Sequence, residues 1–127
     1  MSALPAIKRL LAQQSQPKRV ICVSWEPSLA TTRHLLLTDA GYEVLSIVGP
    51  HEIERLRSTL HADLVVLAHS VPPEEKLRAF TLLREACDAP VLSLLRPHQT
   101  KLPQADFAVE ALSPSDFLAA VNQILEG

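Results

Sequence analysis

From residue 19 onward, short apolar runs alternate with stretches whose apolar side chains return every three or four positions. RVICVSW (19–25), EVLSIVG (43–49), DLVVLAH (63–69), PVLSLLR (90–96) and DFAVE (106–110) are the predicted strands. Three of them are nearly continuous in Val, Ile and Leu, the composition of strands covered on both faces. Such strands belong in a parallel sheet between helical layers.

The stretches between them read as helices. PSLATTRHLLLTDAGY opens on Pro27, places Leu29, Arg33, Leu36 and Ala40 on one predicted face, and stops at Gly41. HEIERLRSTLH repeats Ile53, Leu56 and Leu60 at helical spacing. PEEKLRAFTLLREAC repeats Leu77, Phe80 and Leu83 or Arg84, with acids in its first turn where the helix dipole favours them. The last segment begins SPSD: Ser113 as N-cap, Pro114 at the first helical position and Asp116 two further on, followed by Phe117, Val121 and Ile124 facing inward. Between the fourth and fifth strands, Pro97 and Pro103 leave no room for a full helix.

Strand–helix alternation with right-handed crossovers predicts an α/β, doubly wound, five-stranded parallel sheet in the order 2-1-3-4-5, with the fourth helix short or missing. A site on such a sheet lies at the carboxyl ends of the strands. Those ends carry Ser24-Trp25-Glu26, Ala68-His69-Ser70, Leu95-Arg96 and Glu110-Ala111.

Composition narrows the function classes. The 127 residues, 47% hydrophobic, suit one domain with its own core over 18–127, preceded by a segment over 1–17. In that segment Leu4, Ile7, Leu10 and Leu11 share a stripe, which predicts an extra helix, with a frayed tail as the alternative. A net charge of −2 and scattered basic pairs offer no surface for nucleic acid. Without an apolar run of membrane-spanning length or a leader pattern, a cytoplasmic location is expected, with no membrane contact. Cys22 and Cys87, lacking metal-site spacing, read as buried apolar fillers. His34, His51, His61 and His98 read as surface residues.

In these segments the chain resembles the receiver domain of bacterial two-component response regulators. RVICVSWEPSL resembles the opening strand, ADLVVLAHSVP the third, APVLSLL the fourth, and DFAVEALSPSDFLAAV the fifth strand and last helix, so the resemblance spans roughly 19 to 127. It departs from the family at the residues that do chemistry. The acceptor aspartate falls on Ala68, which has no oxygen to phosphorylate. The acidic pair that holds magnesium falls on Ser24 and Trp25, and Mg²⁺ requires hard oxygen ligands. The switch threonine or serine falls on Leu95, with Ser93 two residues away, and the lysine that neutralises the phosphoryl oxygens falls on Glu110. The resemblance thus implies a degenerate receiver with no metal and no cofactor.

Neighbouring residues do not restore the chemistry. Asp63 lies five residues before Ala68, about 16 Å along an extended strand. Glu26 and Glu110 brought side by side without a cation repel each other rather than make a phosphate site. His69 and Ser70 suggest a phosphohistidine or a Ser–His pair, yet adjacent strand residues point to opposite faces. Trp25 reads either as a stacking platform or as a plug over an emptied pocket. The expectation is a non-enzymatic signalling module acting by contact with a protein partner or a second copy of itself. The alternative is a small-ligand sensor whose crevice is lined by Ser24, Trp25, His69, Arg96 and Glu110, with Glu26 and Ser70 as further contacts.

Overall fold

The structure, a computed structural model, describes residues 17–54, 61–110 and 113–126. The expected N-terminal helix, the helical positions Leu56 and Leu60, and Ala111 lie outside the described residues. Five parallel strands form one sheet in the order β2-β1-β3-β4-β5. They are β1 (Arg19–Ser24), β2 (Glu43–Val48), β3 (Leu64–Leu67), β4 (Val91–Leu94) and β5 (Phe107–Val109). The described helices are α1 (Pro27–Asp39), α2 (Pro50–Glu54), α3 (Pro73–Ala86) and α4 (Pro114–Glu126). The doubly wound α/β topology read from the alternation is the one observed.

Side-chain alternation along the strands divides the core in two. Ile21, Val23, Val65, Leu67 and Val91 face Ile53, Ala79 and Leu83 on one side. Val20, Cys22, Leu64, Val66, Leu92 and Leu94 face Leu37, Phe117 and Val121 on the other. Both cysteines are buried and free.

Helix ends follow their sequence signals. At the end of α1, Tyr42 N–H bonds Leu37 O and Gly41 N–H bonds Thr38 O, both at 3.0 Å, a Schellman turn that needs Gly41's positive φ of 100°. Asp116 N–H donates to Ser113 Oγ (3.1 Å), the expected cap of α4. Residues 95–106 contain turns and no helix.

Two helical faces differ from expectation. In α1 the buried residues are Ala30, Arg33 and Leu37, not Leu29, Leu36 and Ala40. The run Leu35–Leu37 supplied apolar residues at every phase, so pattern alone did not fix the rotation. In α3 the buried residues are Lys76, Ala79 and Leu83, while Leu77 is 46% exposed. A lysine holds the inward position because β4 supplies oxygens for its ammonium.

Asp63 works at the amino edge of the sheet: its Oδ2 accepts Arg19 N–H at 2.8 Å, tying β3 to β1. Asp106 does the same for β4, its Oδ2 accepting Val91 N–H (2.7 Å) and Arg84 Nη2 (3.1 Å).

Candidate functional site

The carboxyl ends of β1 and β3 meet through hydroxyl groups. Ser24, buried at the last position of β1, has its Oγ 2.9 Å from Ser70 Oγ. Ser24 Oγ also bonds Glu26 O (3.2 Å) and accepts Glu26 N–H (3.1 Å), while Ser70 Oγ accepts Trp25 N–H (3.0 Å). One proton arrangement satisfies all of these contacts: Ser70 donates to Ser24, and Ser24 donates to Glu26 O. Ala68 is 1% exposed and starts the turn closed by Val71 N–H on Ala68 O (3.1 Å). The edge is therefore joined by neutral groups.

Trp25 leaves this edge toward α2 and α3. Its indole packs on the core that contains Ile53 and Ala79, and Nε1–H donates to Glu75 Oε2 at 3.0 Å. Glu26 turns to solvent, where Ser28 Oγ donates to its Oε1 (3.0 Å).

The third-strand end also carries a cationic group of residues. Arg96 Nε donates to His69 Nδ1 at 3.1 Å, which places the neutral ring's proton on Nε2. Burial, then the charges of Arg33, Arg96 and Lys76, hold the imidazole's pKa below its ordinary value. Lys76 is 2% exposed, and its Nζ donates to Ser93 Oγ (3.0 Å) and Leu94 O (2.7 Å). Burial alone lowers that ammonium to about 8. Arg33 is also buried, and its Nη1 has no hydrogen-bond partner among the described residues.

The residues expected to line one crevice fall into two hydrogen-bonded groups. Ser24, Trp25 and Ser70 make one group, and His69 and Arg96 another. Glu110 is exposed, with no hydrogen bond or ion pair to the described residues. His69 instead lines a cleft between α1 and the start of α4, with Arg33 and Phe117. His34, expected at the surface, is half-buried with Nδ1 2.9 Å from Ser46 Oγ. The strand-end reading missed Lys76 and Arg33, which lie on helices rather than at strand ends. Their signal was the 76, 79, 83 and 30, 33, 37 spacing of otherwise small or apolar residues.

Comparison with solved structures identifies the fold. A response regulator receiver domain protein of Bacillus halodurans matches with a TM-score of 0.70 at 24% identity, over 86% of this chain and 97% of its own. The fold is the response-regulator receiver fold. A receiver protein of Sinorhizobium medicae matches at 0.67 and 20% identity, over 88% of this chain and 97% of its own. The regulator TrrA of Thermotoga maritima, in complex with Mg²⁺ and BeF, matches at 0.65 and 23% identity, over 85% and 99% respectively. No protein-family model and no curated protein matches the chain.

On the receiver fold, the ends of β1 and β3 are where the resemblance puts metal and acceptor, and the residues present do not fit a magnesium ion. Ser24 and Ser70 spend their hydroxyls on each other and on backbone, Trp25 offers an indole, and Ala68 offers a methyl. The carboxylates near Trp25 have partners: Glu75 the indole, Glu26 the Ser28 hydroxyl and Glu54 the Arg78 guanidinium. Ser93, the other candidate for the switch hydroxyl, is taken by Lys76.

Proposed function

We propose that this domain is a receiver-type signalling module that takes no phosphoryl group, performs no catalysis and acts through contact with a protein of a signalling pathway. One observation supports the reading: Ala68, on which the resemblance puts the acceptor, is buried beside a neutral ring of Ser24, Ser70 and backbone, where the resemblance expects two carboxylates and a metal. A phosphoryl acceptor needs an activated oxygen in line with the donor, and among the described residues none converges here. A second copy of the chain is one candidate partner, tested by mass in solution from light scattering. The cytoplasm is the proposed compartment; no described helix is long and apolar enough to cross a membrane.

Incubation with acetyl phosphate and Mg²⁺, followed by intact-mass spectrometry, is expected to leave the mass unchanged. A stoichiometric adduct removed by hydroxylamine overturns the reading. A second reading, ligand sensing, draws support from the cleft beside Arg33, which shares His69 with the strand edge.

A further inference from the structure

Arginine is almost never fully buried unless it is paired, because desolvating a cation costs several kcal/mol that a partner must offset. Arg33 of α1 is 8% exposed, and its Nη1 is enclosed without an acceptor among the described residues. Its neighbours include the Phe117 ring, with the guanidinium carbon 5.7 Å from the centroid, the Cys22 thiol and His69. Burial pushes that thiol up to about 12, so it supplies no negative charge at neutral pH. No carboxylate among the described residues answers the guanidinium.

Arg33 lines a cleft of about 130 Å³ between α1 and the start of α4. Leu29, Leu36 and Phe117 give it apolar walls, and His69 and Ser113 give it polar ones. The amino end of the 13-residue α4, with its positive dipole end, opens at Ser113 and Pro114. Asp116 is the one acid in that first turn, and it is exposed. Arg96 and Lys76 add positive charge near His69. Two independent features, an unpaired buried guanidinium and a helix amino terminus, therefore face one small space.

We propose that this cleft binds a small organic oxyanion, with its carboxylate or phosphoryl group on Arg33 at the start of α4 and a short hydrocarbon part against Leu29, Leu36 and Phe117. The volume suits a ligand of a few heavy atoms, smaller than a nucleotide. An anion there neutralises Arg33 and so stabilises the packing of α1 on α4. The proposal is independent of the question of aspartyl phosphorylation: either can fail while the other stands.

The test is an NMR titration of the full chain with inorganic phosphate, acetyl phosphate and butyrate, each against sodium chloride at matched ionic strength. Saturable shifts of the amides of residues 33, 69, 113 and 115–117 are expected with at least one probe, and the three probes separate phosphoryl from carboxylate recognition and a bare anion from one with an organic part. Arg33→Met is expected to weaken that binding by about tenfold or more, the loss of a charge-assisted hydrogen bond. Should Arg33→Met not fold, Leu29→Trp, which fills the cleft from its rim and keeps the arginine, is expected to abolish the same shifts. Absence of saturable shifts with all three probes, shifts confined to other residues, or unchanged binding in the folded variants overturns the proposal.

Discussion

At the scale of single residues, the carboxyl edge is governed by how each polar atom is satisfied. Lys76 shows it most directly. Its ammonium is buried with a hydroxyl and a carbonyl as named acceptors and no carboxylate, and burial lowers its pKa from 10.5 to about 8. The folded chain thus releases this proton near pH 8, whereas the unfolded chain holds it to about pH 10.5. Between those values the unfolded state binds more protons, so this residue's contribution to stability rises with pH. Lys76→Met lacks the titration. Urea unfolding of wild type and Lys76→Met in parallel is expected to show their difference moving in favour of the wild type by up to roughly 3 kcal/mol between pH 7.5 and 10.5. Cys22 and Tyr42, whose pKa values are raised and which therefore act in the opposite sense at alkaline pH, cancel in the difference. A difference that stays flat contradicts the assignment.

At the scale of elements, aspartates hold the amino ends of β1, β3 and β4, and neutral hydroxyls join the carboxyl ends of β1 and β3. Asp106 binds the first amide of β4 and the Arg84 guanidinium, and the Val91 amide is the main cause of its depressed pKa. Asp106→Ala is expected to lower stability by about 1–2 kcal/mol at neutral pH, because it leaves the Val91 amide without that acceptor. The folded pKa lies below the unfolded one, so this stabilisation is present above about pH 4 and is lost as pH falls through the folded value. Chemical denaturation of wild type and variant should therefore converge in acid, with the exposed Asp39→Ala as a control within about 0.5 kcal/mol of wild type. The elements themselves were legible in the sequence. Val-Ile-Leu runs marked buried strands, Gly41 marked the Schellman stop, and SPSD marked the cap of α4. Helix rotation was not legible. Leu35, Leu36 and Leu37 cover every phase of α1, and in α3 a lysine occupies an inward position that hydrophobic pattern assigns to an apolar residue.

At the scale of the whole molecule, strand order followed from alternation and crossover handedness, and the β1 and β3 ends where the resemblance places the chemistry followed from strand order. Which residues share a cavity did not follow. His69 looked like a partner of Ser24 and Trp25 because all three close strands. His69 and Ser70 lie in the turn after β3 rather than on the strand, and from it Ser70 went to the β1 edge while His69 went to Arg96 and the α1–α4 cleft. Arg33 was placed correctly on an inward stripe, but its meaning needed the third dimension, since only packing reveals that a guanidinium has no counter-charge.

Lys76 also gives the domain an internal clock for its own opening. In the closed state its amine is shielded by α3 and β4, whereas Lys18 and Lys101 are exposed. An acylating reagent offered to the folded protein is therefore expected to modify the two exposed amines at once and Lys76 only as fast as α3 lifts from the sheet. Peptide mass spectrometry over time reads that lag, and Lys76 labelling as fast as Lys101 contradicts the shielding. Acylation turns the amine into an amide of larger volume and no charge, so a chain caught open is hindered from closing again, and a reversible fluctuation becomes a permanent mark.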